Sequence, residues 1–363
     1  MAAAPRVNPE DFFRPEEWAR LSQRSAWRGW ACVAHCWAVI AASMALVAWS
    51  PWFIPLAVLW VGNRQLGLFI LMHDAAHAVL HPSRRINDAM GFWLCGTEVY
   101  GYRSYHLQHH RYVQQTEDPD LVLSAPFPIS RASLRRKMWR DISGQTFYKQ
   151  RIAPGVNAWR QPPVGQSRWA SLGQWIHQTR WFLGGNAVFA LAFTAAGWGW
   201  LWLGVWLLPM ATWLPLITRL RNISEHALVA PNEPDPLQHA RTTHANFWER
   251  MWLAPYWVNY HCEHHMFTQI PCWNLPLAHR WLPVTPRCCA RPRQFETCAA
   301  AWFAAKVPRL TLIPLSSFGI TSTVLVLAPT VNRDDTHFAH NEYSKLLTPK
   351  DPTCNVYLLP NCF

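Results

Sequence analysis

The sequence predicts an all-α membrane protein built from two hairpins of membrane-spanning helices. Three observations carry that prediction. Half of the 363 residues are hydrophobic and only 15% are charged, against roughly 25% charged in a typical soluble domain. Four apolar segments, residues 30–49, 51–72, 181–198 and 199–218, are each long enough as helices to cross the hydrocarbon of a bilayer. Tryptophan reaches 24 residues, which suits a membrane–water boundary where an indole has one end in lipid and one in water.

Residues 1–29 read as a polar arm ahead of the first span. They hold five arginines and four carboxylates and no apolar core of signal-peptide type. The first span, WACVAHCWAVIAASMALVAW, runs into the second through Ser50–Pro51 with almost no loop. The second contains Arg64, whose long stem is expected to carry its charge toward the interface. The third and fourth spans meet at GWGW. Neither hairpin turn is charged, whereas residues 73–180 carry fourteen Lys and Arg. The positive-inside rule therefore places that segment, the arm and everything just after Thr218 in the cytoplasm.

Between the hairpins, residues 86–101 are apolar but too short to cross, and read as an interfacial or re-entrant piece. Residues 126–163, rich in Pro, Arg and Ser, read as an irregular cytoplasmic excursion. The ten cysteines form no CxxC pair, so reduced thiols are expected. The net charge of +12 comes without interleaved basic and aromatic runs, and no nucleic-acid partner is expected. Residues 282–363 change in character. They hold five of the ten cysteines and a Ser/Thr-dotted apolar run at 310–328. They read as a divergent, weakly ordered extension, or as translation outside the ancestral frame; a fifth span there is the lesser alternative.

Chemistry concentrates in the histidines. Eight of the seventeen form three clusters: HDAAH (His73, His77), HLQHH (His106, His109, His110) and HCEHH (His261, His264, His265). Positions i, i+3 and i+4 share one helix face, so each HxxHH presents three imidazoles in a narrow arc. An even number of spans separates the clusters, which puts all three on one side of the membrane. Eight imidazoles exceed the four ligands of one zinc and suit two metals. A histidine-rich, carboxylate-poor pair fits iron and dioxygen chemistry better than hydrolysis. A membrane metal transporter would place its ligands near mid-membrane, and a zinc hydrolase would need fewer of them. Asp74, Glu117, Asp118, Asp120, Glu225 and Glu263 are candidates to hold the outer N–H of ligating imidazoles. His35 reads as a packing residue and His81 as a surface or core residue; His239, His244 and His279 read as surface residues or as outer partners around the site, and His226 taken alone reads as an interface residue. Trp93, Tyr100, Tyr105, Trp248, Trp257 and Trp273 are candidates to line a narrow apolar channel or to anchor the interface.

The three clusters, with HHRYVQQTEDPD and APYWVNYHCEHH, resemble the histidine boxes of the membrane fatty-acid desaturase/hydroxylase superfamily, and its bacterial desaturase-type members in particular. The resemblance covers roughly residues 30–281. It implies four membrane helices under a cytosolic helical cap that holds two non-haem Fe ions. It also implies a further histidine just past the last span, four residues after an asparagine that reaches one iron through a water; Asn222 and His226 fit that pattern. The implied chemistry is O2-dependent introduction of a C=C bond into a lipid acyl chain. A hydroxylase or ketolase acting on a lipid, sterol or carotenoid is the alternative within the same superfamily. No HPGG or CxxC donor motif occurs, so an external electron donor of ferredoxin, rubredoxin or cytochrome b5 type is implied. The setting is the lipid bilayer, the inner membrane in a bacterium.

Overall fold

The computed structural model describes residues 3–4, 6–124, 127–230 and 232–282, together with residues 311–312 and 325–326. The chain divides into two units, Met1–Phe303 and Ala304–Phe363. In the second, the described residues form one short antiparallel ladder, Thr311–Leu312 with Leu325–Val326. The readings of residues 283–363 otherwise lie outside the described residues. Among the described residues of the first unit every regular element is helical.

The first hairpin matches the expectation closely. Helix α1 (Pro15–Leu21) precedes α2 (Ala26–Trp49) and α3 (Ile54–Ala76). Ser25 caps α2 through its hydroxyl, and Pro55 near the start of α3 costs no hydrogen bond because the first-turn amides have no partner anyway. α3 runs four residues past the predicted end of its span and carries the first histidine cluster on its last turn. It is the central element, with fifteen of its residues buried. Gly29 lets α2 approach the loop after that cluster: a Cβ there would lie 2.2 Å from the Leu80 carbonyl oxygen.

Among the described residues, three helices are long and apolar enough to cross a membrane: Pro15–Trp49, Pro51–Ala76 and Gly199–His226. The predicted third span falls in the C-terminal part of a 28-residue helix, Arg168–Ala195, which is not among those three. The helix ends at Ala195, so only residues 181–195 of the apolar run lie within it, and Gln178, Thr179 and Arg180 precede them. The turn into the next span is made by Gly197 at φ +80°, a left-handed conformation that glycine adopts without a Cβ penalty. The last span is not a uniform α-helix. A π-helical stretch, Trp202–Leu207, and Pro209 interrupt it before the closing helix Trp213–His226.

Two expectations are corrected. The segment from 126 to 163 is helical over much of its length, with Arg131–Ile142 and Ala153–Arg160 as its main helices. Ser130 caps the first of these by accepting from the Ser133 amide, and Leu134 and Asp141 turn inward from it. Pro154 sits in the first turn of the second, where proline is tolerated. Arg64 does not reach for the interface. It is only 8% exposed. Its guanidinium donates to the Asn63 side chain and, at 3.5 Å, to the Met251 carbonyl. It lies 3.4 Å from His35 Nδ1 and 5.7 Å from the centre of the Tyr256 ring. Partners from α2 and the 250s loop cover it, so the charge is solvated inside the bundle. His35 is thereby a hydrogen-bonding residue: its Nδ1 is 2.9 Å from the Tyr256 hydroxyl.

Candidate metal centre

The four histidine segments reach one place by different routes. His73 lies on the last turn of α3 and His77 caps its end. His106, His109 and His110 lie on the helix Val99–Arg111. His226 ends the helix Trp213–His226. His261, His264 and His265 occupy the short helix His261–Met266.

Side chains stitch these segments together. Arg103, three residues before His106, donates to the Ala75 and Ala76 carbonyls at the open end of α3, at 2.9 and 3.0 Å. The Ala75 carbonyl also accepts from the Ala78 amide and from the Asn87 side chain, so several donors close the end of the helix. Arg241 does the same for the helix ending at His226, donating to the Ile223 and Ser224 carbonyls. Asp74 accepts from the Cys272 amide at 2.9 Å, which ties the first cluster to the chain beyond the third. Backbone strain is concentrated here as well. Ala78, Gln114, Leu228, Tyr256 and Trp257 all have φ between 52 and 65°. Such residues cost of order 1–3 kcal/mol each and persist only where surrounding contacts hold them. They lie immediately after or before the histidine segments and turn the chain sharply at each.

All nine histidines come together in two adjacent sets. Donor atoms of His73, His77, His106, His110 and His264 lie within 4.8 Å of one another, and so do those of His109, His226 and His265. His261 joins the second set: its Nε2 is 2.8 Å from His226 Nε2 and 3.1 Å from His265 Nε2. The sets abut, with the His110 and His265 ring centres 4.3 Å apart. In the first set His110 Nε2 is 2.9 Å from His106 Nε2 and 3.0 Å from His264 Nε2.

These contacts fit a bound cation. A neutral imidazole has one N–H and one lone pair. His109 commits its Nδ1 to Asp118 at 2.8 Å, while its Nε2 faces His265 Nε2 at 3.4 Å. Several ring nitrogens thus converge on shared points where mutual hydrogen bonds cannot satisfy them all. The Nε2 atoms of His73 and His77 are buried without a hydrogen-bond partner. Leaving such atoms unmatched costs about 1–3 kcal/mol each, and a metal in each set removes that cost.

Burial, reinforced by the neighbouring imidazoles, holds His77, His106, His110, His261, His264 and His265 well below the ordinary histidine pKa. They are therefore neutral near pH 7 and keep lone pairs free for a metal. His109 differs. Burial alone would lower it, but the hydrogen bond with Asp118 and the charges of Asp120 and Asp118 together raise it. The pH dependence of the metal-free protein follows. For the six lowered histidines the unfolded chain, titrating near 6.5, takes up protons before the folded one. Their contribution to stability is present above about pH 6.5 and is lost as pH falls below it. His109 contributes with the opposite sign, one group against six. Thermal unfolding of chelator-treated protein in detergent is expected to give a lower Tm at about pH 5.5 than at about pH 7.5. An equal or higher Tm at the acid pH would contradict the buried, neutral state of the six.

The carboxylates divide by what they touch. Asp118 holds His109 Nδ1, and its own oxygens also accept from the Gln114 and Asp120 amides. Asp74 Oδ1 lies 3.4 Å from His73 Nδ1. Asp120 lies 3.7 Å from His109 Nδ1 and accepts from the Tyr105 hydroxyl. Glu225 accepts from Arg221 at 2.9 Å and has an oxygen 3.5 Å from His261 Nε2. Glu263 instead accepts from His279 Nδ1 at 2.6 Å and from Thr242, and Glu117 accepts from Thr116.

Asn222 is partly buried one turn before His226 on the same helix, and none of the contacts above involves it. His81 accepts from the Ser83 amide and His239 Nε2 is 2.8 Å from the Glu233 carbonyl, so both serve local turns. Of the aromatic channel candidates, Trp93, Tyr100, Tyr105 and Trp248 are exposed, as interface anchors would be, while Trp273 is buried. Sequence reasoning missed Arg103 and Arg241, because capping of a distant helix leaves no local spacing to read.

Residues 49–287 match the profile of the family described as fatty acid desaturase. The chain is 27% identical over 261 residues to the dihydrorhizobitoxine desaturase of Bradyrhizobium elkanii, covering 68% of this chain and 73% of that protein. It is 21% identical over 291 residues to the chloroplastic omega-6 fatty acid desaturase of Brassica napus, covering 73% of this chain but only 61% of that relative's length. It is 26% identical over 259 residues to the beta-carotene ketolase of a Paracoccus species, covering 66% of this chain and 88% of the ketolase.

Proposed function

The chain belongs to the fatty acid desaturase family, and we propose that it is a multi-pass membrane oxidoreductase that desaturates a lipid acyl chain. The observation that carries this reading is the convergence of nine buried or half-buried imidazoles into two abutting sets at the ends of membrane-length helices. In the proposed topology a fourth span runs through the apolar end of the helix Arg168–Ala195. The basic segment and the histidines then face the cytoplasm under a helical cap.

His73, His77, His106, His110 and His264 would hold one iron, and His109, His226, His261 and His265 the other, with Asn222 near the second. Bound iron would supply the power to activate O2 against an unactivated C–H bond, which no side chain can attack. The protein's part is to hold the ligands and the substrate. Asp118 fixes the tautomer and direction of His109, and Asp74 does so for His73. Burial of the imidazoles keeps water and stray protons from the reacting carbons. In the overall change two adjacent methylenes lose two hydrogens to become CH=CH. One O2, two electrons and two protons complete two waters. The electrons come from an external donor of ferredoxin, rubredoxin or cytochrome b5 type, for which a basic cytoplasmic face offers electrostatic attraction.

The ketolase relative supports a second reading, oxygen insertion into a carotenoid or other lipid. Expression in a host of defined lipid composition, followed by mass spectrometry and double-bond mapping, separates the two. Loss of two hydrogens from an acyl chain supports desaturation, and gain of oxygen with no new double bond overturns it.

A further inference from the structure

The two histidine sets are unequal, and the smaller one has a carboxylate beside it. Five imidazoles form the first set, and four form the second. Glu225 groups with His226 and His261, one ligand atom from each lying within 4.8 Å of the others. The side chain is buried, at 1% exposure. One oxygen accepts from Arg221 Nε, and the other, Oε1, is buried with no hydrogen-bond partner.

The side from which a carboxylate approaches an imidazole separates two roles. Asp118 and Asp74 meet Nδ1 of His109 and His73, and in His109 it is the other nitrogen, Nε2, that faces His265. That is the arrangement of a positioning carboxylate. Glu225 meets His261 at Nε2. This is the same nitrogen that faces His226 Nε2 at 2.8 Å and His265 Nε2 at 3.1 Å. Glu225 therefore stands on the inner side, where the other imidazoles converge. Arg221 supplies the positive charge that a buried carboxylate needs. It engages Oε2, the same oxygen that lies 3.5 Å from His261 Nε2, and that oxygen keeps a second lone pair, while Oε1 has no partner.

We propose that Glu225 is a direct oxygen ligand of the metal held by His109, His226, His261 and His265. The centre then pairs an all-imidazole site with a mixed imidazole–carboxylate site. This rests on the metal-binding reading above. A hard oxygen donor on one metal only makes the two irons electronically different, and that difference is measurable without turnover.

The test is Mössbauer spectroscopy of the full-length protein loaded with 57Fe, with iron content measured on the same samples. Wild type is expected to hold two irons per chain and to give two distinct quadrupole doublets of equal area. Glu225→Gln keeps an acceptor for Arg221 but removes the anionic ligand. It is expected to shift one doublet and leave the other in place, or to lower the iron content from two to one. Glu225→Asp, which keeps the charge but shortens the reach, is expected to move the same doublet by a smaller amount. A single doublet in wild type would overturn the proposal independently of any variant. Two unchanged doublets in Glu225→Gln would overturn it while leaving the di-iron reading intact. Wild type that binds no iron would remove the di-iron reading and this proposal with it.

Discussion

Replacing His109 with alanine is expected to abolish product formation while leaving a folded protein. His109 is 1% exposed and belongs to the smaller set of imidazoles. In the proposed centre, removing it takes one of four imidazole ligands from that set. The fold around it has other supports. Asp118 keeps the Gln114 and Asp120 amides as donors after the imidazole has gone, so the turn following the second cluster is retained. Asp118→Asn is expected to be milder, a loss of about 10–100-fold in metal affinity or activity, because the ligand remains and only its orientation suffers. Lipid analysis of the expression host gives the product, and thermal unfolding gives the fold. An unchanged product profile in His109→Ala would remove the assignment of this residue.

The second large effect is on stability. Asp141, on the helix Arg131–Ile142, is fully buried and paired with Arg219 on the helix that ends at His226. Arg219→Ala leaves a buried carboxylate whose remaining side-chain donor is the Thr146 hydroxyl at 2.6 Å. Breaking a buried pair from one side costs about 3–5 kcal/mol. The Arg219 side chain is 23% exposed, so the lower end of that range applies. The helix that carries His226 would lose its anchor to the basic segment, and iron retention is expected to fall with Tm. The double variant Asp141→Leu with Arg219→Leu is expected to recover most of the Tm, because no lone charge remains. Thermal unfolding of the three proteins checks this; a Tm for Arg219→Ala equal to wild type would show that the pair does not hold the helices together.

The parts of this account legible in the sequence are those with a short period. HxxHH places three imidazoles on one helix face, and that pattern survives any packing. Apolar runs of span length likewise announced α2 and α3. Arg64 was misread because its partners, His35 and Tyr256, come from distant parts of the chain. The helices between 131 and 160 were hidden by their arginine and proline content, although Ser130 offered a cap and Leu134 an inward face. In the sequence Glu225 is one of six candidate carboxylates, and its role depends on which nitrogen of His261 it meets. That is decided by how the helix ending at His226 packs against the helix His261–Met266. Spacing within either helix carries no record of it.

The central claim is that the nine histidines hold two irons and that these serve desaturation. The most direct measurement is elemental analysis of protein purified without added metal, paired with His109→Ala and His264→Ala, one substitution in each set. Two irons per wild-type chain are expected, and in each variant a loss of iron together with loss of the new double bond. One zinc and no iron in wild type, or variants that keep both iron and product, would contradict it.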